Sequence, residues 1–262
     1  MDNRYIDAHM HVMPSGKFID NPSNPPIPDA PEDVIAAMDA HDIEIGVIVP
    51  MRTQDNEFIL QCQKRYPQRF VGCAMVHPYD ENAVFQFQKL VRRGLCGLKL
   101  HPITQQFSDK NFKKLSPLIK EAGKLGVHVQ IHCTPIMGYS TLEGVLRLAY
   151  EHPGTNIILL HAALHRYLDL FPLSRAIHSG YLCNLYVDMS GTITAFHNSP
   201  IWKSFRWVMR QIGPEHLVFG SDFPAADISK TIEGIHALGF SSEEEKLIMR
   251  QNMVKILEEV YE

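Results

Sequence analysis

Tyr5-Ile6-Asp7-Ala8-His9-Met10-His11 is a short, mostly apolar run that ends in two histidines. Side chains alternate across a strand, so His9 and His11 fall on one face. Two imidazoles so placed suit a divalent metal ion. Seven more runs of this kind follow: Ile43 to Val49, Phe70 to His77, Leu95 to His101, Val127 to His132, Asn156 to His161, Cys183 to Met189 and His216 to Ser221. Each is rich in Val, Ile, Leu or aromatic residues and leads through Pro, Gly, Ser, Thr or Ala into a helix-like stretch. Strands alternating with helices from end to end predict a parallel sheet of the α/β class. The 262 residues match the roughly 250 of a (β/α)8 TIM barrel, so the expectation is one barrel domain over residues 1–262.

The helical stretches carry their own signals. Pro31-Glu32-Asp33 places proline and acid in a first turn, and Ser241-Ser242-Glu243-Glu244-Glu245 caps a final helix in which Leu247, Ile248, Met253, Ile256 and Leu257 recur at helical spacing. Pro14 to Pro28 holds five prolines and reads as a loop after the first strand, where barrel loops serve either the active site or the surface.

Composition narrows the function classes. The chain is 45% hydrophobic and 21% charged, enough for a full core, and no apolar stretch approaches the roughly 18 residues of a membrane span. A net charge of -4 without a dense basic run argues against nucleic acid as a partner. Met1-Asp2-Asn3-Arg4-Tyr5 lacks the features of a secretory signal, and the five cysteines (62, 73, 96, 133 and 183) form no Cys-x-x-Cys, which suits reduced thiols. The expectation is a soluble, cytoplasmic protein acting on a small molecule, with a homo-oligomer among the options. Fourteen histidines direct attention to metal or proton chemistry.

His132 and His161 each close an apolar run, where barrel strands deliver catalytic residues. Asp222 follows Leu217-Val218-Phe219-Gly220-Ser221, and a carboxylate there needs a metal, a cation or a helix to cap; Pro224 delays the helix, which favours a ligand role. Lys99 and His101 share a face of Gly97-Leu98-Lys99-Leu100-His101-Pro102. Lys99 could hold an anionic substrate, become carboxylated and bridge two metals, or pair with a buried carboxylate. His101 and His77, each before a proline, read as supports rather than direct ligands. Arg52, after the second run, could hold a substrate carboxylate or lie in solvent. His41, His152, His178, His216 and His236 show no partner pattern and are expected in solvent. Gly-x-Gly-x-x-Gly, Walker, His-Glu-x-x-His and Gly-x-Ser-x-Gly motifs are absent.

Taken together, the sequence resembles the amidohydrolase superfamily, in the amidohydrolase-related group that also contains the aminocarboxymuconate-semialdehyde decarboxylase relatives. The likeness runs nearly end to end on Asp7-Ala8-His9-Met10-His11, Tyr66-Pro67-Gln68-Arg69-Phe70, Gly97-Leu98-Lys99-Leu100-His101-Pro102, His132, His161, Phe219-Gly220-Ser221-Asp222-Phe223-Pro224 and Asn252-Met253-Val254-Lys255-Ile256-Leu257. It implies a metal-dependent barrel with His9, His11, His132 and Asp222 as ligands and His161 as catalytic base. It also implies one divalent ion, Zn2+ by its donors, or two if Lys99 is carboxylated. Such an ion lowers the pKa of a bound water toward about 7, which predicts hydrolysis of an amide, ester or lactone with His161 and Asp222 moving the proton and Lys99, Arg52 or His101 holding substrate. Non-oxidative decarboxylation is the runner-up, and a silent ligand-binding barrel is the reading from another class.

Overall fold

The computed structural model describes residues 4–14, 30–134 and 142–258. Eight strands stand in sequence order in one parallel sheet: β1 (Tyr5–Met10), β2 (Ile43–Ile48), β3 (Phe70–Ala74), β4 (Gly97–Leu100), β5 (His128–His132), β6 (Ile157–Leu160), β7 (Leu185–Asp188) and β8 (Leu217–Val218). The chain past β8 returns to β1, where Ala8 N donates to Phe219 O at 2.8 Å and Asp222 N to His9 O at 2.7 Å, so the sheet nearly closes on itself. This is the expected (β/α)8 barrel. Most of the Pro14 to Pro28 loop lies outside the described residues.

Alternation along each strand sorts its side chains into two layers. Leu98, Leu100, Val129, Ile131, Leu159 and Val187 join the cluster that packs under the helices. Lys99, between two of them, takes the other face and is 1% exposed. Residues Val47, Val49, Ile158, Leu160, Tyr186 and Val218 form a second cluster with Met253, Ile256 and Leu257 of the last helix. That helix is tied to the barrel by the Asn252 side chain, which donates to Pro214 O and Leu217 O, both at 2.7 Å. The expected cap at Ser241 takes the form of a capping box with Glu244 on the helix over Ser242–Lys246, and the helix over Pro31–Asp39 begins on its proline.

The ladders stop earlier than the apolar runs. His11, His77, His101 and His161 stand just past the ends of their strands, while His132 remains within β5. Three histidines expected in solvent are half-buried instead, because each meets a partner at an element edge. His41 Nδ1 lies 2.8 Å from Ala37 O, His152 Nε2 2.7 Å from Ser116 Oγ, and His216 Nδ1 2.8 Å from Leu185 O. His178 and His236 are exposed. No helix among the described residues is long and apolar enough to cross a membrane.

Candidate metal centre and active site

A cavity of about 270 Å³ opens at the C-terminal ends of the strands. Its described lining contains His9, His11, Lys99, His101, His132, His161 and Asp222 beside Met51, Thr134, Leu164, Gly191 and Thr192. His9 and His11 come from the end of β1, Lys99 from β4, His132 from β5 and His161 from the residue after β6. Asp222, four residues past β8, is held at φ 59°, a left-handed backbone that aims its carboxylate back over the barrel. His161, Ala162, Ala163 and Leu164 also have positive φ, from 44° to 64°. That run costs about 1–2 kcal/mol per residue for side-chain-bearing residues, and at its end Leu164 stands on the cavity wall.

Hydrogen bonding fixes which ring nitrogens face the cavity. His11 Nδ1 lies 3.1 Å from the carbonyl of Val49, which can only accept, so the proton is on Nδ1 and Nε2 keeps its lone pair. That Nε2 faces Asp222 Oδ1 at 3.2 Å. His9 Nε2 stands 3.6 Å from the same oxygen and 3.2 Å from the amine of Lys99. His9, His11 and Asp222 offer ligand atoms all within 4.8 Å of one another, and a divalent cation fits this N, N, O donor set. His132 does not join that group: its Nδ1 meets His161 Nε2 at 3.0 Å, its Nε2 meets Thr134 Oγ1 at 2.6 Å, and its ring stacks on His101 at 3.9 Å. His161 Nδ1 donates to Ser190 O at 3.1 Å.

Burial sets the electrostatics. It holds His9, His101 and His132 well below the ordinary histidine value, with the Lys99 charge acting in the same direction on each. His11 is also lowered by burial, against the pull of Asp222. Burial brings Lys99 down to about 8 despite Asp222. For Asp222 burial acts upward, but the close approach of His11 and the Lys99 charge act the other way, and the carboxyl ends below its usual range.

Arg52 is exposed and does not line the cavity; its backbone N–H is taken by Asp55 Oδ2 at 2.9 Å. His77 also lies away from the lining, half-exposed, with Tyr79 N donating to its Nδ1 at 3.3 Å. The sequence reading missed Asp188 and Ser190. Asp188, fully buried at the end of β7, accepts from Ser190 N at 3.0 Å and from Ser190 Oγ at 2.5 Å. Its signal was available: Leu185-Tyr186-Val187-Asp188 ends an apolar run on a carboxylate, as Asp222 follows one. Ser190 has no such signature. Gly220 is required by the same carboxylate, since a Cβ there would meet Asp188 Oδ1 and lie 3.1 Å from His9 Cβ.

Solved structures of similar shape place the fold among enzymes of two reaction types. The 5-carboxyvanillate decarboxylase LigW from Sphingomonas paucimobilis superposes with a TM-score of 0.75 at 16% identity, covering 97% of this chain and 99% of that one. A Pseudomonas putida protein named for 2-pyrone-4,6-dicarboxylic acid hydrolysis gives 0.75 at 22% identity, over 99% of each chain. A dihydroxybenzoic acid decarboxylase from Polaromonas, with manganese and the inhibitor 2-nitroresorcinol bound, gives 0.70 at 17% identity, over 98% of this chain and 97% of that one. No curated protein matches the sequence. The amidohydrolase family model matches residues 6–258, nearly the whole barrel with every residue of the cavity, and the chain therefore belongs to the amidohydrolase family.

Proposed function

We propose that the chain hydrolyses an ester, lactone or amide bond in a small carboxylate-bearing substrate, using one divalent cation held by His9, His11 and Asp222. The observation that carries this reading is the pair of lone pairs, His11 Nε2 and Asp222 Oδ1, facing each other at 3.2 Å beside the Lys99 amine. When bound, the cation supplies Lewis acidity, polarising the scissile carbonyl and making water a stronger acid. Zn2+ suits the nitrogen-rich donors, and the manganese of the Polaromonas relative marks the alternative metal.

The protein's own groups do the rest. Lys99, cationic below about pH 8, anchors the substrate carboxylate. The second oxygen of Asp222, Oδ2, takes the proton of the attacking water. His161 Nε2, 3.0 Å from His132 Nδ1, receives that proton from Asp222 and passes it to the leaving oxygen or nitrogen. His101, stacked on His132, holds that ring in place. Arg52, outside the described lining, is left without a substrate role. The described lining, polar at Lys99, Asp222 and the histidines and aliphatic at Met51 and Leu164, suits a small carboxylate-bearing lactone, ester or amide.

Turnover in 18O-labelled water, on a panel of small carboxylate-bearing lactones, esters and amides with hydroxylated aromatic acids alongside, tests the reading. One labelled oxygen in the product acid without CO2 is expected. Release of CO2 from an aromatic acid, with no hydrolysis, overturns it in favour of a decarboxylase.

A further inference from the structure

Beneath the cavity, Ser190 Oγ sits at the centre of a buried triangle. It lies 2.5 Å from Asp188 Oδ2, 3.2 Å from His9 Nδ1 and 3.2 Å from His161 Nδ1. His9, His161 and Asp188 bring ligand atoms within 4.8 Å of one another, which by distance alone would suit a second cation. The hydroxyl already fills that space, and its proton has one destination, the Asp188 carboxylate. Ser190 Oγ is thereby left as an acceptor on its other side. His9 Nδ1 must carry a proton to meet it, and the lone pair of His9 is confined to Nε2, on the cavity side.

We propose that Asp188, acting through the Ser190 hydroxyl, is the positioning residue that fixes the His9 tautomer and so presents Nε2 to a cation. The inference deepens the hydrolase reading, on which its functional meaning rests. Polar groups that orient a ligating histidine in this way typically change metal affinity by about 10–100-fold when altered.

The relay makes an unusual prediction about an isosteric change. In Asp188→Asn, the Ser190 backbone N–H, now 3.0 Å from Asp188 Oδ1, keeps the amide oxygen on its side. The new NH2 therefore faces Ser190 Oγ and donates to it. The hydroxyl must then turn its own proton toward His9 Nδ1, which moves the His9 proton to Nε2, the nitrogen a cation needs. Ser190→Ala is milder, because His9 Nδ1–H still faces Asp188 Oδ2 at 3.6 Å.

Ring-15N NMR of the histidines reads this directly, with the His9 signals assigned by their absence from a His9→Gln chain. In the unchanged protein the His9 Nδ1 should appear protonated. In Asp188→Asn it should appear unprotonated, with Zn2+ affinity, titrated against a competing chelator, lower by about 10–100-fold and the thermal midpoint little changed. Ser190→Ala should keep the proton on Nδ1 and lose less affinity. A structural role alone would move the thermal midpoint and leave the tautomer in place. The proposal is overturned by an unprotonated His9 Nδ1 in the unchanged protein, a reading that stands even if Asp188→Asn does not fold. It is equally overturned by an Asp188→Asn chain that keeps both tautomer and affinity. Neither readout needs turnover, so failure of the hydrolase reading leaves the test intact.

Discussion

His11 Nε2 and Asp222 Oδ1 stand 3.2 Å apart, and because the Val49 carbonyl claims the His11 Nδ1 proton, two acceptors face each other across that gap. Only a proton or another cation between them removes the repulsion. An Asp222→Asn chain should therefore behave in two opposite ways. Its amide N–H can donate to His11 Nε2, so thermal stability in the presence of chelator should hold or rise. Retained divalent metal should fall from one per chain to a small fraction. Elemental analysis and melting curves on the same samples check it, and full metal occupancy would remove Asp222 from the ligand set.

Lys99 and a divalent ion compete for the same His9 lone pair, since Lys99 Nζ lies 3.2 Å from His9 Nε2. Lys99→Met should keep the cation or bind it more tightly, while KM for a carboxylate-bearing substrate rises about 10–100-fold, the worth of one charge-assisted hydrogen bond. Loss of the cation instead, with a carboxylated lysine in the mass spectrum of the unchanged protein, would show Lys99 to be a ligand.

His161 touches the chemistry in a different way. Its Nδ1 is bonded to Ser190 O and its Nε2 to His132, so neither nitrogen is needed to hold the ion. The His161→Ala chain should retain its metal and lose about 10²–10⁴-fold in kcat, the usual contribution of a general acid or base. Elemental analysis beside steady-state rates separates this from a ligand role, in which metal and activity would vanish together.

A pH effect on stability should come from below the site. His128 is wholly buried near Cys73 and Gln130, and burial brings its pKa from the usual 6.5 down to about 4. Protonation then favours the unfolded chain. Its contribution is complete above about pH 6.5 and is lost progressively as the pH falls from about 6.5 to about 4, on the order of 3 kcal/mol in total. Urea unfolding of the unchanged protein and His128→Gln at pH 7 and pH 5 checks the sign. The substituted chain should lose less stability between the two conditions, and equal slopes would show that His128 does not set the acid limb.

The barrel was legible because its causes are local. Each strand needs only a short apolar run with a breaker after it, and eight such runs in order leave few ways to close a parallel sheet. Much of the candidate site was legible for the same reason, because a polar residue inside an apolar strand, as at Lys99, or at its end, as at His11, His132, His161 and Asp222, is out of place unless it has work at the rim. Asp188 obeyed that rule and was passed over because no motif drew attention to it.

What the sequence by itself determined, then, is which residues reach the C-terminal rim of the barrel, because alternation along a strand is a property of neighbouring peptide units. Only the tertiary structure decided which of them meet. His132 turned to His161 and His101, away from the His9, His11 and Asp222 group. Arg52 stayed in solvent, and Ser190 came to lie between two histidines from distant strands. Those choices depend on ring orientation and on where each N–H finds an acceptor. They are set by partners up to 211 residues away in the chain, as between His11 and Asp222, and no local pattern of residue types records them.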